Sequence, residues 1–436
     1  MKVYSILTIA LLLSVGLLAQ DSSAQRFNLH FQATYIYQYK PEFSAKYSGP
    51  HSISTAEEKQ NSVTATMYAG ARLWKGAEVY VNPEIAGGSG LTGAFGMAGS
   101  TNGETFRVGN PSPTLYLARA YFKQTIALDK SRTKVEDGQN QLEGTEPGRY
   151  FRLYAGKFSL GDFFDNNPYA NAPRTQFLNW ALMNNTAWDY AANVRGYTVG
   201  GVAVLQWDRW SYKVGLGALP EVANGAKLNM KYGQSRALNG EVSRAITIHK
   251  REGHVRVLGY VNTADMGSYK ASMAHTWGVV APDIIHTEKI GATKAGFGIN
   301  VDQTIGDNAG IFARLGWNDG KTETWAFTEA DRILSVGLAL NGNMWHRKND
   351  NGGIALVANG LSKDHSDYLA AGGLGFQLGD GTLNYGHEFI AEAYYSYKPT
   401  PAGVWISGDY QFAMNPGYNK DRGPLQVLSL RVHVEL

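Results

Sequence analysis

The sequence predicts an all-β fold: a transmembrane antiparallel β-barrel of about 16 strands, with 18 as the alternative count. Three observations predict it. Sixteen amphipathic stretches follow one another after residue 24. The connections between them alternate between long and mostly short. Beyond the first segment, no apolar run approaches the roughly 20 residues a helix needs to cross a bilayer, so strands must do the crossing.

The first segment reads as a leader. Lys2 gives the positive start, Ile6 to Ala19 is an apolar run short for a span, and Ser22-Ser23-Ala24 offers small residues for cleavage before Gln25. Residues 1–24 are therefore expected to be a signal peptide and 25–436 one barrel domain. No Cys follows the apolar run, which excludes a lipoprotein anchor.

Strands are expected at 27–39, 62–73, 77–85, 114–127, 149–157, 195–206, 209–218, 239–248, 254–262, 293–303, 309–316, 331–340, 352–358, 387–396, 402–412 and 425–435. Side chains alternate across a strand, so each stretch divides into two stripes. In the first, Phe27, Leu29, Phe31, Tyr35, Tyr37 and Tyr39 stand against Asn28, His30, Gln32, Thr34 and Gln38. The tenth sets Phe297, Ile299 and Val301 against Asn300 and Asp302. The fifteenth sets Val404, Ile406, Tyr410 and Phe412 against Trp405, Ser407, Asp409 and Gln411. The last sets Leu428, Leu430, Val432 and Val434 against Ser429, Arg431, His433 and Glu435. A β-sandwich alternates too, but its strands average about 5–6 residues, whereas many here approach the 9–11 or so of a tilted membrane strand. The first and last strands are complementary, so the ring can close.

The connections fix the ends. Those at about 40–61, 86–113, 158–194, 219–238, 263–292, 317–330, 359–386 and 413–424 are long. Trp74-Lys75-Gly76 and Asp208 exemplify the short ones. Short turns belong at the periplasmic end and long loops outside, which places the chain in a bacterial outer membrane among its lipids.

Composition agrees. Only 18% of residues are charged, low for a soluble surface of this size, while Gly (51) and Tyr (25) are plentiful. A net charge of +3 implies no nucleic-acid partner, and the absence of Cys excludes disulfides and thiolate metal sites.

A ring of 16–18 or so strands leaves an aqueous bore, so the polar stripes choose what passes. Thr64, Thr66, Tyr68 and Arg72 share one such stripe. Glu78, Tyr80, Asn82 and Glu84 share the next, followed by Arg119, Tyr121 and Lys123, then Arg152 and Tyr154. Arg314, Glu392, Trp405, Asp409 and Arg431 come from later strands. Interleaved acids, bases and aromatic rings suit a neutral polyhydroxylated solute, whose hydroxyls need donors and acceptors and whose C–H faces need a flat apolar surface. The competing reading is that Arg and Glu pair with each other and hold the wall in shape.

The loop Gly161 to Val194 is the least ordinary segment. It carries Phe163, Phe164, Tyr169, Phe177, Trp180, Trp188 and Tyr190, far too many rings for a solvated loop. The reading favoured is that it folds into the mouth and narrows the bore, bringing Asp162, Asp165, Arg174 and Asp189 to the constriction. The alternative is a cap over the outer rim or a contact with a neighbouring protomer. Asp162, Asp165 and Asn166 also suggest a loop calcium ion, although the glycine-bearing loop of tight sites is absent.

Seven stretches resemble the carbohydrate-selective porin family, the OprB type: PEFSAKYSGPHSI (41–53), GARLWKGAEVYVNPEI (70–85), LYLARAYFKQTI (115–126), GKFSLGDFFDNNPYANAPRTQFLNWAL (156–182), RLGWNDGKTETWAFTEADR (314–332), DYLAAGGLGFQLGDG (367–381) and NPGYNKDRGP (415–424). The resemblance implies a sixteen-stranded barrel whose loops fold into the channel, and passive, selective diffusion of mono- and oligosaccharides, with glucose uptake the best-known role. It also implies a channel narrowed by charges of both signs. Among matching positions, Arg72, Glu84 and Arg119 fall on predicted bore-facing stripes, and Lys157, Asp162 and Arg174 at or inside the third loop. One departure is the last residue, Leu436, where many outer-membrane barrels end in Phe.

The expected pore-lining and constriction set is therefore Arg72, Glu84, Arg119, Lys123, Arg152, Lys157, Asp162, Arg174, Trp180, Asp189, Arg314, Asp409 and Arg431. No cofactor is expected. Gly320-Lys321-Thr322 lacks phosphate-loop spacing, Asp364-His365 lacks a nucleophile, and His249 and His254 are wrongly spaced for helical metal ligation, so an enzyme is not expected. A general diffusion porin, or a receptor or adhesin barrel with little flux, is the competing function. A homo-trimer is the assembly expected at this width, although no loop reads as a latch.

Overall fold

The computed structural model describes residues 25–104, 111–276, 280–399 and 403–436, so the predicted leader lies outside the described residues. The strands are β1 (Phe27–Lys40), β2 (Glu58–Trp74), β3 (Ala77–Gly87), β4 (Thr114–Ala127), β5 (Thr133–Val135), β6 (Gly144–Glu146), β7 (Tyr150–Phe158), β8 (Thr198–Trp207) and β9 (Trp210–Gly217). They continue as β10 (Arg236–Ile248), β11 (Arg251–Ala264), β12 (Ala292–Ile305), β13 (Ala309–Asn318), β14 (Arg332–Asn341), β15 (Asn351–Gly360), β16 (Glu388–Tyr397), β17 (Val404–Met414) and β18 (Leu425–Glu435). All but β5 and β6 close into one sixteen-stranded ring of sequential neighbours. Closure is made by β1, which pairs antiparallel with β2 on one side and β18 on the other, Tyr35 lying opposite Val432. The expected sixteen strands are all present, several with longer ends.

The stripes sort as expected, and the result is inverted relative to a soluble protein. On β18, Arg431 and His433 are fully buried while Leu428 and Leu430 are about half exposed. On β12, Asn300 and Asp302 are buried while Phe297 and Ile299 face outward. An apolar outer band around a polar interior is the arrangement of a barrel that crosses a membrane. Aromatics rim that band. Trp74, Trp207 and Trp210 sit exposed beside the short turns, and Phe297, Trp317 and Phe389 lie toward the long-loop end. Arg149 covers the Trp207 ring at 4.7 Å and Arg332 covers Trp317 at 5.0 Å, as expected at a headgroup boundary.

Two segments enter the bore from opposite ends. From the long-loop end, residues 159–197 fold inward and carry the short helix α1 (Trp180–Met183). Their aromatic cargo packs on the inner wall: Phe164 and Trp188 lie against Val202, Val204, Leu258 and Tyr260, and Phe177 lies against Phe312 and Tyr394. The wall is made shallow to receive them. A Cβ on Gly316 would sit 2.1 Å from Asn185 of the loop, and one on Gly310 would sit 2.0 Å from the Tyr169 ring. Above this, α2 (Tyr269–Thr276) and α3 (Lys363–Ala370) join over the rim through Tyr269 and Tyr368, whose rings lie 5.1 Å apart.

From the short-turn end comes a segment that departs from the mostly-short expectation. The connection 128–149 is long and holds the β5–β6 ribbon. It tucks into the barrel because inward-facing wall residues grip it. Asn28 Nδ2 donates to Asp137 (2.8 Å) and to the carbonyls of Gly138 and Gln141. Arg72 donates to the Glu143 carbonyl at 3.2 Å, and Asn82 donates to Asn140 at 2.9 Å.

Candidate functional site

Between the inward segments and the wall, open space remains along β2–β4 and β7. Three adjoining cavities define it. The outer one is lined by Trp180, Met183, Tyr190, Asn193, Asn224 and Phe327. The middle one, about 350 Å³, is lined by Tyr68, Glu104, Arg119, Asp162, Arg174 and Tyr197. The inner one, about 870 Å³, runs down to Lys75 and Arg132 at the short-turn end. Met183, Tyr190 and Gly196 line both outer and middle cavities, and Asn140, Gly161, Asp162 and Asn171 line both middle and inner ones. The three cavities thus adjoin one another along the wall β2–β4 and β7.

The middle cavity holds the paired charges of both signs expected at a constriction. Arg119, from β4, makes a two-pronged pair with Asp162 at 2.7 and 2.6 Å. Asp162 is set in place by a one-turn helix: the Ser159 amide donates to its carboxylate in a capping box. Arg174 reaches from the loop to the wall. It donates to Glu104 (2.8 Å), Glu84 (3.0 Å), Thr66 (3.2 Å) and the Tyr68 hydroxyl (3.2 Å). Glu84 is fully buried, and also accepts from Thr66 and from the Tyr116 and Tyr197 hydroxyls. Arg119 lies over the Tyr197 ring (5.3 Å) and Arg195 over the Tyr116 ring (4.1 Å). The outcome is a ring of both charge signs with phenol faces between, and paired guanidiniums keep unspent N–H donors for a passing hydroxyl.

The expected residues divide into three groups. Arg119, Asp162 and Arg174 line the middle cavity, with Glu84 behind Arg174. Arg72, Lys123 and Arg152 line the inner cavity, and Trp180 lines the outer one, stacked on Phe327 at 5.6 Å. The others do not reach open lumen. Arg314 is buried against the inward loop, paired to Asp165 (3.0 Å) and donating to the carbonyls of Leu182 (2.7 Å) and Ala170 (2.6 Å). Arg431 is buried and donates to the carbonyls of Pro173 (2.6 Å) and Gln176 (2.7 Å). Asp409 is buried beside Gln411. Asp189 is buried with its carboxylate accepting from the amides of Trp325, Ala326 and Phe327. Lys157 pairs opposite Ala120, in the outward-facing register of β7.

The loop calcium idea meets a correction. Asp162 is taken by Arg119 and Asp165 by Arg314, and among the described residues no cluster of three or more His, Cys, Asp or Glu is arranged for a metal. Asp364-His365 is also accounted for: the His365 ring is buried against Asp331 at 2.9 Å, at the start of α3.

Four constriction residues escaped the sequence reading. Glu104 sits in a glycine-rich loop with nothing to mark it. Arg195 and Tyr197 fall inside the expected strand 195–206, but the strand begins only at Thr198. Tyr116 faces inward because a register shift after Asn82 flips the parity of β4, which no periodicity count reveals.

A family model described as carbohydrate-selective porin, OprB family, matches residues 50–436. Among solved structures, the chain is similar to OprB of Pseudomonas putida at high pH, with TM-score 0.73, 15% identity and 94% of each chain covered. It is also similar to the outer-membrane channel DcaP of Acinetobacter baumannii, with TM-score 0.53, 11% identity, and 96% of this chain and 99% of that one covered. Among curated proteins none matches.

Proposed function

From the premise that this chain belongs to the carbohydrate-selective porin, OprB family, we propose that sugars cross it along the β2–β4 and β7 wall, through the ring formed by Arg119, Asp162, Arg174, Glu84 and Glu104. The protein is a sugar-selective channel of the outer membrane. The observation that carries the proposed route is the pairing of both guanidiniums across the constriction. Paired charges present hydrogen-bonding edges without a net field, which favours a neutral hydroxylated solute over an ion of either sign. Arg72, Lys123 and Arg152 serve the inner half of the route, and Trp180 its entrance. Arg314, Arg431, Asp409 and Asp189 shape the bore by holding the loop. Catalysis has no place in this reading.

A liposome-swelling panel over neutral sugars, uronic acids and amino acids tests the selectivity; equal rates for all three would demote the protein to a general diffusion porin. Replacement of Arg119 by Glu tests the route. It puts two carboxylates together at the constriction, and reversal potentials in a salt gradient should move toward cation selectivity. No shift would place the path elsewhere. Export by cleavage before Gln25, contact of the outer band with membrane lipids and a homo-trimeric assembly complete the reading. Mass spectrometry of the mature N-terminus and cross-linking in outer membranes measure the first and last.

A further inference from the structure

The inner cavity is more than twice as large as the constriction above it, about 870 Å³ against 350 Å³, and falls within the roughly 300–1,000 Å³ of ligand sites. Its roof is Asp162, Phe163 and Asn171 of the inward loop, and its floor is Gln141 and Leu142 of the β5–β6 ribbon. We propose that this chamber is a second binding station for a neutral saccharide of more than one ring, on the periplasmic side of the constriction. The proposal rests on the sugar-channel reading and adds to it a resting place that the narrow ring does not supply.

Two features of the walls carry it. The first is a strip of rings on consecutive elements. Tyr121 and Tyr154 lie 6.1 Å apart on β4 and β7, and Phe163 continues the strip 4.6 Å from Tyr154. All three are partly exposed and line the cavity. The rings are tilted by 57° and 56° to their neighbours, so the strip is stepped, and each ring offers one apolar surface on which a C–H face of a sugar can rest. The second is the polar edge beside the strip. Glu78 is shared between Arg72 (3.1 Å) and Lys123, and Arg152 is paired with Glu146 of the ribbon. Each cation retains N–H donors beyond those it spends on its carboxylate. An apolar solute would strip water from these charges without replacing it, and a small ion would have no use for three rings. A saccharide uses both. The ribbon completes the site, since without it the rings would face open periplasm.

The chamber opens toward the short-turn end at Lys75 and Arg132, so it fills from the periplasmic side without passing the constriction. This makes the test sided. In single-channel recordings of known orientation, a linear glucose trisaccharide added to the periplasmic side should interrupt the current at concentrations at which extracellular addition does little. Tyr121→Ala and Tyr154→Ala should each weaken that block tenfold or more, and Tyr154→Phe, which keeps the ring, should retain it. Heat-modifiable gel migration reports that each variant is folded. Equal block from both sides in the wild type, or block from the periplasmic side that both alanine variants leave intact, overturns the chamber. Neither result touches the sugar-channel reading, whose own test is monosaccharide entry into liposomes carrying the wild-type protein.

Discussion

The loop that enters the bore from outside and the ribbon that enters from the periplasmic end are held in unlike ways. Loop 159–197 carries seven aromatic side chains between Gly161 and Val194, of which Phe164, Phe177, Trp188 and Tyr190 are buried, and the wall meets its backbone with fully buried groups. Arg314 and Arg431 donate to its carbonyls, and Glu392 accepts from the amides of Leu178 and Asn179. The ribbon segment 128–149 contains no aromatic residue. It hangs from half-exposed side chains such as Asn28, His30 and Arg72. Buried charges on one wall are thus consumed by structure, while the same residue types on the opposite wall remain beside open space. The difference teaches that an inward-facing Arg or Glu becomes a solute contact only where no loop has claimed it.

The sharpest way to break the outer loop's hold is Arg314→Ala. The guanidinium touches the Asp165 carboxylate and three loop carbonyls, those of Asp165, Ala170 and Leu182, with none of its side chain exposed. Removing one partner of a buried pair costs about 3–5 kcal/mol. Burial already pushes the Asp165 carboxyl up, against the pull of Arg314. The expected outcome is a lower heat-modification temperature together with larger, noisier conductance as the loop loosens. Asp165→Ala in the same chain should recover part of the loss. A variant with wild-type conductance and melting would mean that the aromatic cargo alone seats the loop.

The same contrast decides what the sequence could reveal. The barrel was legible because alternation is a local property: every expected strand recurs, and Leu428 and Leu430 face out as Arg431 and His433 face in. The inward fold of the outer loop was legible because seven rings have no reason to sit in water. The ribbon left no such trace, since LDKSRTKVEDGQNQLEGTEPGR reads as an ordinary solvated turn. Nor does alternation say that Arg431 meets a carbonyl and Arg119 meets the path. Both are inward-facing arginines, and only the docking of the loop on β12–β18 separates them.

Replacing residues 131–147 by a short Gly-Ser turn sharpens the comparison from the other side. Many of the ribbon's bonds to the wall are exposed or half-exposed, and exposed pairs contribute about 0–1 kcal/mol each. Melting should therefore move much less than in Arg314→Ala. Conductance should still rise, because the floor of the inner cavity is gone. A loss of folding as large as that of Arg314→Ala would show the ribbon to be a structural staple like the outer loop.

The smallest effect separates the two ends by pH. At the outer end, Glu323 lies in the loop after β13 and accepts from the Gly267 amide at 2.6 Å. Burial is the main cause that pushes its carboxyl up to about 8, with Glu288 and Glu329 adding to the shift and the Gly267 amide and Lys294 opposing it. A carboxyl raised in the fold binds its proton more tightly there than in the open chain. Its contribution is therefore complete at low pH and fades as pH climbs from the ordinary carboxylate range, about 4.3, through 8. In the ribbon the sign reverses. Burial pushes Asp137 up, but hydrogen bonds from Asn28, His30 and Gln25 outweigh it and hold the carboxyl below its usual range. That contribution is present above about pH 3.9 and is lost as the medium becomes more acidic. Hydrogen exchange followed from pH 2 to 9 should show amides around Gly267 opening with alkali, and Glu323→Gln should abolish that slope. Ribbon amides at Gly138 and Gln141 should instead open on acidification, an effect that Asp137→Asn removes. Parallel responses at the two ends would mean that one global transition, rather than two separately held segments, sets the pH dependence.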